Sequence, residues 1–444
     1  LYFKIGFIPS NLCIYENIHK VKPGECLKIN KSNESIIKFQ YWNIENYIKP
    51  KETNLDDEIK ILDGYLNESV RDRLNSDVPS GTLLSGGVDS SLVSYYAQKN
   101  SIDRVRTYSI GFFEKNYDET AKAKEISNLL NSSHNHLYVQ KDQIINLLPK
   151  LPSIYCEPIA DSSQIPTFLI SNLISQHVKV ALSGDGGDEL FAGYNRHIYF
   201  KLIQKFNSFP NILKKYLNNN IFLKQFIAFF YSNLMKEPRD ISHKKINKFF
   251  NILSRASDVT SYFNILSNSN SHKILNDEYV NNSIFFEKNN NQKKLKDLLI
   301  NDFNCYLPDD ILTKVDRASM ANSIEIRSPF LSRKLIEHSF SMNENFKIKN
   351  MQGKYILRQL MRKNYNSKIA NLPKQGFSIP LGTWMKNDLS EWSKDIIFST
   401  TKSSHLFDKI ELEKIWKNFS DNTFDYSEQL WSIIIFKQWY ENQF

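Results

Sequence analysis

Cysteine is scarce in this 444-residue chain, and the four that occur stand far apart. Cys13, Cys26, Cys156 and Cys305 make no C-x-x-C pair, which excludes a zinc ribbon and a disulfide framework. Isolated thiols of this kind fit a reducing, cytoplasmic setting. Long apolar runs are missing too: no stretch approaches the ~18 uninterrupted apolar residues of a membrane span. The nearest, from Ile221 to Met235, is broken by Lys224 and Gln225 and reads as a buried helix. The first residues carry no basic segment followed by an apolar one, so no export signal is visible. Dense basic blocks are also absent, although Lys and Arg outnumber Asp and Glu by 57 to 48. The resulting charge of +9 is scattered among Asn, Ile and Phe, with only modest clusters such as Lys293-Lys294. That pattern argues against nucleic acid as a partner and leaves small molecules as the expected ligands, with a homodimer left open.

What is present is an ordinary globular composition, 41% hydrophobic and 24% charged, in a chain long enough for two or three domains. The first residue is Leu rather than Met, and the expectation is that the chain begins inside a longer polypeptide. Residues 1–48 hold short β-like pieces, among them Glu25-Cys26-Leu27-Lys28-Ile29 after a Pro23-Gly24 turn. Pro50-Lys51-Glu52-Thr53-Asn54 reads as a linker, and Ile59, Leu62, Leu66 and Val70 predict a helix over 55–74. Beyond Pro79 the pattern alternates. Strands are expected over 82–84, 105–110, 136–139 and 179–182, and helices over 90–98, 119–130, 142–148 and 163–176. Such an order predicts an α/β fold with a doubly wound parallel sheet over about 55–200. From Tyr194 onward strands fade, and the remainder, about 201–444, is expected to be mostly helical. No internal repeat is found.

Two loops carry the chemistry. The first is Leu84-Ser85-Gly86-Gly87-Val88-Asp89-Ser90-Ser91, placed where a strand meets a helix. Its glycines let backbone N–H groups approach phosphate oxygens, its hydroxyls add donors, and the helix start favours an anion. Asp89 has the wrong charge for phosphate and makes sense there only if Mg²⁺ stands between them. The second loop runs Leu182-Ser183-Gly184-Asp185-Gly186-Gly187-Asp188-Glu189-Leu190-Phe191-Ala192-Gly193-Tyr194, again after an apolar strand. Asp89 and Asp188 could together hold one or two Mg²⁺ ions on the phosphates of ATP. The ordinary readings are a Ser/Asp helix cap and an acidic surface turn. Two such loops at one sheet edge outweigh them. The first loop lacks the Gly-Lys-Ser/Thr ending of a Walker A motif. It resembles instead the SGG-x-DS signature of the N-type ATP pyrophosphatases, which cleave between the α and β phosphates.

Further along stand Tyr306-Leu307-Pro308-Asp309-Asp310-Ile311-Leu312-Thr313-Lys314-Val315-Asp316-Arg317-Ala318-Ser319-Met320 and Glu325-Ile326-Arg327-Ser328-Pro329-Phe330-Leu331. Gly353-Lys354-Tyr355-Ile356-Leu357-Arg358 and Lys374-Gln375-Gly376-Phe377-Ser378-Ile379-Pro380 follow. In order and spacing the series resembles the synthetase part of the glutamine-dependent asparagine synthetases, over about residues 55–444. The resemblance implies a PP-loop ATP pyrophosphatase (adenine nucleotide α-hydrolase-like) core. It also implies a reaction in which ATP adenylates the side-chain carboxylate of aspartate and ammonia displaces AMP. Carried over by motif, Ser85, Gly86, Gly87, Asp89, Ser90 and Ser91 would take pyrophosphate and Mg²⁺. Leu84, Ile110, Ser183 and Gly184 would line the nucleotide site, and Asp188 would be the second Mg²⁺ ligand. Lys354 would neutralise charge developing on the phosphates. Glu157, Asp161, Ser162 and Ser163 would shape the acceptor pocket, although Asp-Ser-Ser is also an ordinary helix cap.

The chain departs from the family in places. Asp185 stands where many members carry Glu, a group proposed to take a proton from ammonia; the shorter side chain leaves its reach open. Ser332 replaces the usual Asp after Pro-Phe-Leu. Arg317, Glu325 and Arg327 are read as partners in an ion-pair network, structural for Glu325 and Arg327, and His134 and His136 need no catalytic role. Residues 1–48 resemble only the end of a glutaminase domain, whose N-terminal Cys nucleophile none of the four cysteines matches. Ammonia is thus the expected nitrogen source for this chain, and glutamine that of the full-length protein. Phe3, Ile5, Phe7 and Ile8 are expected to lack packing partners, so that a chain starting near Leu55 would be more soluble. Two other readings remain: a related amidotransferase acting on another carboxylate, such as a sugar acid of surface polysaccharide, and a PP-loop protein modifying tRNA.

Overall fold

The computed structural model of the chain describes residues 1–48, 52–114, 117–207, 259, 261–262, 274–276, 293–372 and 379–443. The expected helix from Ile221 to Met235, the linker residues Pro50 and Lys51, and Lys374-Gln375-Gly376-Phe377-Ser378 lie outside the described residues. Two sheets form. An antiparallel hairpin pairs β1 (Glu25–Asn30) with β2 (Ser35–Gln40), Glu25 opposite Gln40. The other five strands are β3 (Ser80–Leu83), β4 (Arg106–Gly111), β5 (Ser133–Tyr138), β6 (Val180–Leu182) and β7 (Glu325–Arg327). They run parallel in the spatial order β5-β4-β3-β6-β7. The chain winds outward from β3 through β4 to β5, then returns to the other side for β6 and β7. Winding therefore reverses between β3 and β6. At such a point the loops leaving the two strands diverge and open a crevice. These loops are the two singled out by the sequence.

Local chemistry explains the elements that flank the crevice. The helix Leu55–Leu74 begins at Asn54, whose side chain accepts from Asp57 N at 2.9 Å, and carries Asp56, Asp57 and Glu58 in its first turn. Its predicted stripe of Ile59, Leu62, Leu66 and Val70 is buried against the helices Val88–Lys99 and Tyr355–Asn364. On the opposite side of the sheet, the helices Gln164–Ser175 and Ser427–Gln443 build a second core around Ile165, Ile174, Trp431 and Ile434. Strands expected from apolar runs form within one to three residues of their predicted ends. β7 was not anticipated: Glu325-Ile326-Arg327 offers a single apolar residue, and only pairing with β6 makes it a strand. Beyond β7 the described residues are helical apart from turns and isolated bridges. No described helix is long and apolar enough to cross a membrane.

The N-terminal residues correct one expectation. Residues Tyr2–Ile5 form a helical turn rather than a β edge, and they do not lack partners. Tyr2 is buried and its hydroxyl donates to the Ser432 carbonyl at 3.0 Å. The Phe3 ring lies 5.6 Å from Phe407 and 5.0 Å from Phe436, and buried Phe7 lies 6.3 Å from Tyr306. Ile5 and Ile8 are half-buried. Backbone bonds from Ala160 N to Gly6 O (2.7 Å) and from Ser10 N to Asp309 Oδ2 (2.8 Å) fasten the segment. Aromatic side chains here find the groove beside the last helix, a partner no local pattern reveals. Apolar exposure falls instead on the hairpin, where Ile29 and Ile36 are each 64% exposed. Truncating Tyr2 to Ala removes a buried ring and its hydrogen bond. Denaturant unfolding of the whole chain should show a loss of about 3 kcal/mol; an unchanged midpoint would mean that the segment adds nothing to stability.

Candidate active site

The β3 loop turns at Gly86, whose φ of +80° a side chain would strain, and the helix Val88–Lys99 starts at once. Ser90 Oγ accepts from Ser85 N at 3.2 Å and lies 3.1 Å from Ser85 Oγ, so the two hydroxyls are held together at the mouth of the loop. Ser91 is fully buried, and its hydroxyl donates to the Gly87 carbonyl at 2.6 Å. From the β6 loop, the short helix Gly187–Phe191 brings Asp188 opposite Asp89. The ammonium of Lys354 sits between them, in contact with the Asp89 carboxylate and 2.7 Å from Asp188 Oδ1. Burial works against that ammonium, but Asp188 and Asp89 outweigh it and hold its pKa above the ordinary value. The packing here is close: a Cβ on Gly193 would fall 1.9 Å from Asp188 Oδ1 and 2.1 Å from Lys354 Cε.

Ser85, Asp89, Ser90, Asp188 and Lys354 line one cavity of about 930 Å³. Leu84 and Ile110 form an apolar wall beside Glu119, whose carboxyl burial pushes up to about 7. Ser183 and Gly184 line the cavity between this wall and the acidic residues. Ser183 Oγ donates to Asp185 Oδ2 at 2.7 Å, while burial raises the Asp185 carboxyl above its usual range.

A second charged cluster lines the same cavity. Asp161, Ser162 and Ser163 line it together with Tyr194, Tyr306 and Lys314. Asp161 and Lys314 form an ion pair. Burial opposes both charges, yet each holds the other ionised: Asp161 is below its ordinary pKa and Lys314 above. Asp161 Oδ1 also accepts from Ser163 N at 2.8 Å, so the Asp-Ser-Ser run forms a local turn and a cavity wall at once. Behind Lys314, burial, together with Asp161, pushes Asp310 up to about 7. Burial and then Asp188 do the same for Glu189, which accepts from Tyr194 Oη at 2.5 Å.

Of the expected residues, Gly86, Ser91 and Glu157 do not line this cavity. Gly86 and Ser91 shape the turn from within. Glu157 is set apart: it pairs with Lys20 and accepts from Ile14 N at 2.8 Å, holding the N-terminal segment against the body. Arg327 pairs with Glu325 at 2.7 Å and donates to the Arg73 and Asn75 carbonyls, each at 2.9 Å, closing the end of the Leu55–Leu74 helix. Arg317 is half-exposed beside Asp316. His134 is held between Thr107 and Ser109 in the sheet. Lys314, Tyr194, Tyr306 and Arg358, which the sequence reading gave no role, all line the cavity. Tyr306 belongs to an 11-residue π-helical stretch, Asp302–Leu312, that contains Pro308. Wide turns of that kind gather at functional sites, but sequence does not announce them.

The chain is similar to known proteins over most of its length. The family model described as asparagine synthase matches residues 62–441. The asparagine synthetase [glutamine-hydrolyzing] 1 of Bacillus subtilis is 28% identical over 441 residues, covering 99% of this chain and 67% of that protein. A putative asparagine synthetase [glutamine-hydrolyzing] 2 of Methanocaldococcus jannaschii is 36% identical over 217 residues, 48% of this chain and 41% of that protein. A putative asparagine synthetase of Mycobacterium bovis is 24% identical over 453 residues, 99% of this chain and 66% of that protein. The chain thus spans about two thirds, or less, of the length of these relatives. With the doubly wound sheet, the paired acidic loops and the family match over most of its length, the chain belongs to the asparagine synthase family of ATP-dependent ligases.

Proposed function

We propose that this chain makes asparagine from aspartate, ATP and ammonia, through an aspartyl-AMP intermediate. The observation that carries the reading is Lys354 held between Asp89 and Asp188 in a cavity that the Lys314–Asp161 pair also lines. The apolar wall of Leu84 and Ile110 is assigned to the nucleoside, with Ser183 and Gly184 alongside. Ser85, Ser90 and the backbone of Gly87 are assigned to the phosphates, with Gly86 and Ser91 shaping the turn that presents them. A carboxylate oxygen of aspartate attacks the α-phosphorus, the bond to the bridging oxygen breaks, and pyrophosphate leaves with its charge beside Lys354. Ammonia then attacks the acyl carbon, AMP departs, and the nitrogen gives up a proton, for which Asp185 is the assigned acceptor.

Asp89 and Asp188 fit Mg²⁺. They are hard oxygen donors, and among the described residues no third His, Cys, Asp or Glu joins them in a metal-binding group. Two carboxylates without a full protein cage are what a phosphate-borne Mg²⁺ requires. Bound there, it would neutralise phosphate charge. Lys314 and Asp161, which both line the cavity, are assigned to the carboxylate and the ammonium of an amino-acid acceptor. Aspartate carries both groups. A sugar acid carries only the first, so we favour the amino acid. Residues 1–48 are assigned to the end of a glutaminase domain and 49–444 to the synthetase.

Aspartate should support exchange of labelled pyrophosphate into ATP, and added ammonium should give asparagine with AMP and pyrophosphate in equal amounts. Formation of ADP and phosphate would contradict the α-phosphate chemistry. Lys354→Ala should lower turnover by about 10²–10³ with a smaller change in KM for ATP, since its charge counts most as pyrophosphate leaves. Asp89→Asn and Asp188→Asn should each weaken ATP use severely. Wild-type exchange rates in these variants would overturn the site assignment.

A further inference from the structure

Between Ile348 and Tyr355 the chain enters the left-handed region three times without glycine: Asn350 at φ +50°, Met351 at +58° and Lys354 at +55°. Each carries a steric cost, and such a turn persists only where its surroundings over-determine it. Two of the ties are local to the β6 loop. Lys354 N donates to the Phe191 carbonyl at 3.0 Å, and a Cβ on Gly353 would lie 2.3 Å from the Ala192 carbonyl oxygen. The third comes from Arg358. It stands one helical turn past Lys354, its N–H donating to the Lys354 carbonyl at 3.0 Å. Helical side chains lean toward the helix start, so its guanidinium reaches back over the turn. Nε donates to the Gly353 carbonyl at 3.1 Å, and Nη1 donates to the carbonyls of Ala370 at 2.7 Å and Leu372 at 2.8 Å.

Arg358 is buried, 6% exposed, and lines the same cavity as Lys354. Burial lowers its pKa, while the Asp89 and Asp188 carboxylates work the other way. A guanidinium presents donors in a rigid fork; a lysine keeps the charge but not the fork. We infer that Arg358 is a positioning residue for Lys354. By clamping the carbonyl just before it to the 370–372 backbone, it holds the strained turn that sets the Lys354 ammonium between Asp89 and Asp188. The inference rests on the proposed reaction only for its kinetic readout.

The test is a double-mutant cycle of Arg358→Lys and Lys354→Gln in the whole chain, read by pyrophosphate exchange, together with amide hydrogen exchange. Arg358→Lys should lower the exchange kcat about tenfold with KM for ATP within about twofold. In the Lys354→Gln background the same change should cost less than about twofold, because there is no ammonium left to position. Amides over 349–358 should exchange at least about tenfold faster in Arg358→Lys, with the Leu55–Leu74 helix unchanged. Equal losses in both backgrounds would overturn the inference, as would faster exchange across every peptide, which assigns Arg358 to general stability. If the wild-type chain shows no aspartate-dependent exchange, the proposed reaction falls. Amide protection then decides the role of Arg358 alone, and unchanged protection over 349–358 overturns it.

Discussion

Two half-buried carboxylates facing one buried ammonium set the terms for the rest of this molecule. Asp89, Asp188 and Lys354 come from three separate segments, and their charges sum to one excess negative. A buried ion cluster of this kind gives little net stability, because desolvation offsets the Coulomb attraction. Stability therefore does not account for it, whereas the proposed ATP chemistry would. The β3 loop otherwise offers glycines, hydroxyls and a helix start, groups suited to an anion. Under the proposed reaction its carboxylates would face cationic partners.

The fold supplies what that cluster needs. Reversal of winding between β3 and β6 brings two loops from adjacent strands to one edge of the sheet. Helices on both faces seal the crevice from the sides, with cores of comparable extent on either side of the sheet. The Lys354 turn then closes the end, resting on Phe191 and Ala192 of the β6 loop. The cavity consequently carries two differently charged clusters. In one a lysine is shared by two acids. In the other a lysine is paired with one acid and backed by another whose carboxyl burial pushes up to about 7.

Much of this was legible in the sequence, and what was not has a common cause. The helix over 55–74 and the strands before Ser85 and Ser183 declare themselves through apolar period and flanking turns. Both acidic loops are local in sequence, so Asp89 and Asp188 could be named before any contact was known. β7 escaped notice because a three-residue strand with one apolar side chain is defined by its neighbour β6. Lys314 and Arg358 escaped because their roles depend on partners elsewhere, Asp161 for the one and the Ala370 and Leu372 carbonyls for the other. The N-terminal aromatics were misjudged for the same reason: the partner of Tyr2 lies 430 residues along the chain. Glu157 sits in a stretch that points to the acceptor pocket, yet the structure pairs it with Lys20.

The central claim is that the Lys354 cluster of the cavity serves cleavage between the α and β phosphates, with the acceptor carboxylate as nucleophile. Aspartate labelled with ¹⁸O in its side-chain carboxylate tests this directly when turned over with ATP and ammonium. The account predicts one labelled oxygen per AMP formed and none in pyrophosphate. Label appearing in inorganic phosphate, or AMP free of label while asparagine forms, would contradict it.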